Sequence, residues 1–252
     1  MSNMSLGERM KRYEVVPKNF LMKRQPCIIR LDGKSFHSYT RGFDKPFDKD
    51  LMEVMQSTMR YLCKEIQGCV LGYTQSDEIT LVLCDYQKLD TDGWFDYNVQ
   101  KITSISASMA TFKFNQLMAE RLIYRIEQGE KDIKFLDKIE KGALFDSRCF
   151  TVPIEEVNNC LLWRQQDATR NSIQALAQSL YSHKELLGIN TKALQDKMFT
   201  EKGINWNDLS TDKKRGSCAV KKDGTWVIDL EIPIFSQDTN YVNSRITFKE
   251  EE

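Results

Sequence analysis

The chain has 252 residues, with 36 Lys+Arg offset by 36 Asp+Glu, 41% hydrophobic and 10% aromatic residues. This composition excludes a disordered chain, which needs low hydrophobicity and high net charge. No apolar run approaches the roughly 20 residues of a membrane span, and zero net charge argues against a protein that coats nucleic acid non-specifically.

Residues 8–24 read as an amphipathic basic helix, stopped or bent near Pro17. Residues 27–31 (Cys-Ile-Ile-Arg-Leu) read as a short buried strand between Pro26 and Gly33. Leu51, Val54, Met55, Met59, Leu62 and Ile66 recur at helical spacing over 48–67, with Asp48 placed to cap the helix. Residues 69–74 and 79–84 form two β-rich runs joined at Ser76-Asp77-Glu78, the pattern of a hairpin. A long helix is expected over 94–128, a strand over 148–154 and a helix over 155–187. The order β-α-β-β-α-β predicts an α+β fold of ferredoxin-like plan. Beyond Gly188 the expectations are a helix near 191–199, a polar loop over 203–215, and strands at 217–222 and 225–231 joined by Lys222-Asp223-Gly224. The tail from Phe248 to Glu252 is expected to fray. The chain divides on this reading into a core, 1–187, and a C-terminal extension, 188–252, packed on it.

The seven Cys are scattered, lack any C-x-x-C pair, and mostly sit among apolar neighbours, which predicts buried reduced thiols and a cytoplasmic setting. Met1-Ser2-Asn3-Met4-Ser5 lacks the apolar core of a signal peptide. With only His37 and His183, a multi-histidine metal site is excluded, so a metal here would need oxygen ligands, as magnesium does. Trp163 and Met52, Met55, Met59 and Met109 read as core.

Two segments carry chemistry. Arg30-Leu31-Asp32-Gly33-Lys34-Ser35-Phe36-His37 closes the first strand, and Tyr73-Thr74-Gln75-Ser76-Asp77-Glu78 forms the hairpin tip. In a βαββαβ sheet the first strand lies beside the hairpin, so Asp32 and Asp77 can meet at one end. Two carboxylates and a backbone carbonyl can hold magnesium when phosphates supply further oxygens, and a metal pair can steady an in-line displacement. Gly33, without Cβ, would let phosphates approach. Spacing alone fits equally well a plain Asp-Gly turn and a polar hairpin tip. Lys34, His37, Arg41 and Lys45 follow in a Gly-containing loop suited to a triphosphate, with Lys101 as a further phosphate contact; solvated charges explain Lys34 and Arg41 as well.

These segments, with Phe43-Asp44-Lys45-Pro46-Phe47-Asp48, Trp94-Phe95 with Lys101, Phe145-Asp146-Ser147-Arg148, Trp163-Arg164-Gln165-Gln166-Asp167, and Asn205-Trp206-Asn207 with Lys214-Arg215-Gly216, occur in order over residues 6–220. The ordered set resembles the tRNA-histidine guanylyltransferase family, which includes guanylyltransferase-like 3′-to-5′ polymerases. The resemblance implies a polymerase-type palm with two Mg2+ ions held by Asp32, Asp77 and the Gly33 carbonyl, with Glu78 as a supporting acid. It maps Lys34, Ser35, Phe36, His37, Lys45, Asp48, Ser76 and Lys101 to the nucleotide, and Arg148, Arg164, Asn205, Lys214 and Arg215 to tRNA. For Asp48 helix capping is an equal explanation, and Arg164 and Gln165 also fit a packing role. The family's W-R-Q-x-D runs into H-I-N-N-L-Y-N in its eukaryotic members; here Ala168-Thr169-Arg170-Asn171-Ser172-Ile173-Gln174 follows. That departure resembles the bacterial and archaeal like-proteins. It implies templated repair of a tRNA whose 5′ end is incomplete or monophosphorylated, using ATP, GTP or other nucleoside triphosphates, by a cytoplasmic homotetramer without a membrane partner. Untemplated addition of G to histidine tRNA is the alternative.

A palm-type cyclase would be favoured by a G-G-[DE]-E-F hairpin, but this one reads Gln75-Ser76-Asp77-Glu78-Ile79. A ferredoxin-like RNA-binding module would need an aromatic strand motif that the chain lacks. The balanced charge is sorted: Arg9, Lys11, Arg12, Lys18, Lys23, Arg24, Arg30 and Lys34 cluster early, and Asp77, Glu78, Asp85, Asp90, Asp92 and Asp96 follow. Local basic surfaces beside an acidic site are compatible with an RNA substrate.

Overall fold

The computed structural model describes residues 4–129 and 136–248; the expectation for the tail at 249–252 lies outside them. Helix α1 (Leu6–Val15) leads to strand β1 (Cys27–Gly33), the short helix α2 (Phe36–Tyr39) and α3 (Lys49–Glu65). The hairpin β2 (Cys69–Gln75) and β3 (Glu78–Leu83) follows, then α4 (Val99–Glu127), α5 (Leu136–Lys141) and β4 (Phe145–Thr151). Helices α6 (Val157–Leu180), α7 (His183–Leu186), α8 (Thr191–Lys202) and α9 (Thr211–Arg215) precede β5 (Ser217–Lys222), β6 (Thr225–Asp229) and α10 (Asn240–Ile246).

The strands form one antiparallel sheet in the order β4-β1-β3-β2-β5-β6. Its first four strands have the order expected of the ferredoxin-like plan, with β1 central beside β3. Strand β5 pairs with the exposed edge of β2 and so extends the sheet.

Alternation along the strands sorts the core into layers. Cys27, Ile29 and Leu31 of β1, with Ile79, Leu81 and Leu83 of β3, face α3 and α4 through Met55, Met59, Ile102 and Phe114. Ile28, Leu71, Tyr73 and Val82 face the other way, against Val157 and Leu161 of α6 and Val242 and Ile246 of α10. The far half of α6 packs with α8 through Ile173, Ala177, Leu194 and Met198. Burying strands on both faces explains why β3, buried throughout, reads as a nearly unbroken apolar run.

Local chemistry sets the boundaries. Asp48 caps α3, as expected, by accepting from the Leu51 amide at 2.9 Å. The helix expected over 8–24 stops at Val15, two residues before Pro17. The one expected over 94–128 is two elements. Phe95, Asp96 and Tyr97 adopt positive φ in a short turn that buries Trp94 and Tyr97, and α4 starts after Asn98, whose side chain accepts from Lys101 N at 3.0 Å. The helix expected over 155–187 divides at Tyr181, which is extended, into α6 and α7. β4 begins at Phe145, earlier than expected, and the loop expected over 203–215 contains α9. Helix α10 was not anticipated. All seven Cys are free thiols, four of them buried, as expected.

Candidate active site

Register brings the acids together. Asp32, near the end of β1, stands opposite Glu78 of β3 and Asp146 of β4. The hairpin tip is locked to β1 because the Gly33 amide donates to the Asp77 carbonyl at 3.0 Å. Ser76 takes φ 50°, turning the tip so that Asp77 and Glu78 follow immediately. Asp32 and Asp77 therefore share one end of the sheet, as the sequence suggested.

Their electrostatics differ from those of their neighbours. Burial raises the Asp77 pKa, and the nearby Asp32 charge raises it further. Burial also raises Glu78, but the Arg164 and Arg30 guanidinium groups pull it back down. Arg164 Nε donates to Glu78 Oε1 at 2.7 Å and Arg164 Nη2 to Asp167 at 2.8 Å. Arg148 pairs with Asp146 at 2.9 Å. Among the described residues, the ion pairs at this end thus go to Glu78, Asp146 and Asp167, not to Asp32 or Asp77. No group of three His, Cys, Asp or Glu is poised to hold a metal among the described residues. A donor set of two acids and a carbonyl is nevertheless what magnesium accepts when phosphates and water complete its shell. The uncompensated pair fits such an ion.

Beside the acids lies a cleft of about 320 Å³ whose walls include His37, Lys45, Asp48, Ser76 and Asp77. His37 and Lys45 are exposed cations or potential cations at its mouth. Asp48 is buried and saturated: besides Leu51 N, it accepts from Asp44 N at 3.0 Å, tying the loop to α3. A smaller recess of about 160 Å³ adjoins the cleft, sharing Pro46, Asp48 and Ser76 and reaching Asn171 of α6 and Lys213 of α9. Asn171 was not singled out from sequence as a ligand contact.

The glycine after Asp32 is also required by its own neighbour. A Cβ on Gly33 would stand 2.3 Å from the Phe36 ring, which folds back over it. Phe36 is itself 4% exposed and packs edge-on against Phe114 at 5.4 Å, so its ring is core and only its backbone can face the cleft. Lys34 and Ser35 are exposed on the loop, with Lys34 N bound to the Leu144 carbonyl at 2.8 Å and Ser35 in the left-handed region.

The remaining expected residues scatter. Lys101 sits near the Phe95 ring, 5.8 Å from its centroid, at the start of α4. Thr111, ten residues along, takes the Phe145 amide at 3.1 Å, beside Gly33. A helical rise of 1.5 Å per residue puts Lys101 about 15 Å from that end, so within this chain it does not join the acids. Arg148 is exposed on β4 next to them. Arg164, with 9% of its side chain exposed, is held inside by its two acids, and Gln165 clamps the 233–235 segment, accepting from Phe235 N at 3.0 Å and donating to Pro233 O at 2.8 Å. Asn205 caps a short turn by accepting from Asn207 N at 3.1 Å, and borders a different hollow, with Lys192 and Phe199. Lys214 Nζ donates to the Asn207 carbonyl at 2.7 Å, and the Arg215 carbonyl takes the Tyr73 hydroxyl at 2.7 Å. Gly216, at φ 82°, passes so close to the Thr74 carbonyl that a Cβ would stand 2.4 Å from it. Trp163, expected in the core, is half exposed.

A family model described as tRNAHis guanylyltransferase matches residues 7–153. A bacterial tRNA(His) guanylyltransferase-like protein solved in complex with ATP is 47% identical, with TM-score 0.85, covering 96% of this chain and 99% of that one. Another bacterial structure of this kind, in complex with GTP, is 40% identical with TM-score 0.76 over 96% and 99% of the two chains. A probable tRNA(His) guanylyltransferase of Dictyostelium discoideum is 28% identical over 84% of this chain and 82% of its own.

Proposed function

The chain belongs to the tRNAHis guanylyltransferase family, a family of nucleotidyltransferases, and from that premise we propose that it rebuilds the 5′ end of tRNA in the 3′-to-5′ direction, templated by the opposite strand. The observation that carries this reading is the Asp32–Asp77 pair at one end of the sheet, left without an ion pair, with Asp77 in the wall of a cleft that His37 and Lys45 also line. Bacterial relatives solved with ATP and with GTP support nucleoside triphosphates as the cleft's ligands.

The chemistry has two transfers. A 5′-monophosphate oxygen of the RNA attacks the α-phosphorus of ATP or GTP, and pyrophosphate leaves. The 3′-hydroxyl of an incoming nucleoside triphosphate then attacks the activated 5′-phosphate, and the nucleoside monophosphate leaves. Two Mg2+ ions bound by Asp32, Asp77 and the Gly33 carbonyl would lower the hydroxyl's pKa and offset charge on the phosphoryl oxygens. Lys45 and His37 hold the triphosphate, Ser76 contributes its exposed hydroxyl, and Asp48 keeps the Asp44–Lys45 loop in place. Glu78 acts through Arg164, fixing the hairpin tip. Arg148 meets the RNA beside the acids.

Templated addition is favoured over untemplated G addition because Thr169, on α6, stands where eukaryotic members carry histidine, and its hydroxyl is turned back to the Gln165 carbonyl at 3.0 Å. We place the enzyme in the cytoplasm; among the described residues, no helix is long and apolar enough to cross a membrane. Tetramer formation is supported by unpartnered apolar residues on α1, where Leu6, Met10 and Tyr13 are 66%, 44% and 70% exposed.

The deciding experiment supplies each nucleoside triphosphate separately to a tRNA lacking its first 5′ nucleotide. Addition that follows the opposing base supports repair, and addition of G regardless supports the alternative. Asp77→Asn is expected to lose both transfers while its melting temperature holds or rises, since the variant removes a half-buried carboxylate whose charge is disfavoured by its burial and by Asp32. Near-normal nucleotide addition by that variant would sink the metal assignment.

A further inference from the structure

On the sheet face turned towards α6, Arg30 lies in register with Arg148 of β4, and Asp32 comes two residues further along β1. Side chains two apart on a strand share a face about 7 Å apart. Arg30 Nε is buried and has no hydrogen-bond partner, and such an orphaned donor is costly unless a ligand supplies an acceptor. Its guanidinium carbon lies 5.4 Å from the centroid of the Trp163 ring. Arg164 lies 4.3 Å from the same centroid, and its ion pairs with Glu78 and Asp167 hold it still. The indole is thus fixed by a cation that cannot move away, yet Trp163 remains 50% exposed, against 8% for Trp94 and for Trp206.

The nucleotide cleft lies on the other side of the acids. Phe36 and Phe43 in its wall belong to the core packed under α3 and α4, whereas Trp163 and Arg30 belong to the α6 face. An in-line transfer sets the attacking oxygen opposite the leaving one at phosphorus, so the RNA phosphate must approach the α-phosphorus from the side away from the pyrophosphate. With the triphosphate in the cleft, the side bearing Trp163 is left for the RNA end.

We propose that Trp163 and Arg30 form the seat of the RNA's 5′-terminal nucleotide, its base stacked on the indole and its phosphate directed to Arg30 and Arg148. This rests on the nucleotidyltransferase reading above and names how that site positions its second substrate. An exposed indole accepts any base, which suits an enzyme whose sequence choice comes from the opposing strand.

The test measures dissociation constants for a 5′-monophosphorylated tRNA transcript lacking its first nucleotide, and for the same transcript with an abasic residue at its 5′ terminus. Trp163→Leu is expected to weaken binding of the intact transcript about tenfold, the scale of one base–aromatic stack, while Trp163→Phe stays within about threefold. The abasic change should weaken wild type by a similar factor and Trp163→Leu hardly at all, with KM for ATP unchanged in both variants. Wild-type indole emission should be quenched by the intact transcript and not by the abasic one, a readout independent of how well any variant folds. An abasic penalty equal in wild type and Trp163→Leu, or equal quenching by both transcripts, overturns the seat. Failure of the wild type to add any nucleotide, with these binding differences present, would instead overturn the functional reading and leave the seat standing.

Discussion

Arg164→Met tests the electrostatics of the hairpin tip. Arg164 and Glu78 each expose 9% of the side chain and meet at 2.7 Å. Removing one member of a buried pair leaves the other charge unsolvated, and the usual cost is about 3–5 kcal/mol. Asp167 retains Arg170 and 25% exposure, so most of the cost falls on Glu78. Burial raises the Glu78 pKa and Arg164 opposes that rise; without Arg164 the folded-state value climbs further above 4.5, its ordinary value. A carboxyl raised by folding destabilises the fold when ionised, fully above its folded-state pKa and not at all below its unfolded one. The variant's deficit should therefore be largest at neutral pH and shrink as pH falls towards 4.5. Urea denaturation across that range measures it. Glu78→Gln in the Arg164→Met background should recover about 2 kcal/mol, because the charge that needed Arg164 is gone. A deficit below about 1 kcal/mol at neutral pH, or no recovery in the double variant, would refute the buried-pair account.

Asp48→Ala should cost about 1 kcal/mol in urea denaturation, the usual value of a lost N-cap, and should raise KM for ATP because the Asp44–Lys45 loop loses its tie to α3. Met10→Glu with Tyr13→Glu on α1 should shift the assembly to smaller species by light scattering while leaving the melting temperature of the fold unchanged, since α1 contributes no buried residue; an unchanged assembly would remove α1 from the interface.

Much of this was legible in the sequence because single residues carried strong local signals. The short apolar run Cys27–Leu31 between Pro26 and Gly33, the cap at Asp48 and the tip at Ser76-Asp77 placed the βαββαβ order and the acid pair. The rest depended on contacts between distant segments. Nothing local in Phe95-Asp96-Tyr97 announces three non-glycine residues at positive φ; the turn is anchored by burial of Trp94 and Tyr97. Without that turn α4 could not be phased correctly, and Lys101 could not be seen to start it far from the acids. At Gly33 the sequence shows room for a ligand but not the second constraint, the Phe36 ring that folds back over it from three residues on. Trp163 was read as core because an apolar residue on a helix usually points inward; here Arg164 and Gln165 take the inward positions by finding buried polar partners.

That inversion explains how a chain of zero net charge keeps an acidic site open. On the face under α6, a row of acids at Asp32, Glu78 and Asp146 lies next to a row containing Arg30 and Arg148. Had the arginines paired indiscriminately, every acid would be neutralised internally and no divalent ion would be drawn in. Instead α6 delivers Arg164 to Glu78, β4 supplies Arg148 to its own Asp146, and Asp77 is left with a raised pKa beside Asp32. Arg30 is held off by the Trp163 ring with its Nε unspent. The same arrangement leaves two negative charges needing a cation and one buried donor needing an acceptor, on either side of one sheet end. On the proposed reading, a metal-bound triphosphate and an RNA phosphate would satisfy both at once.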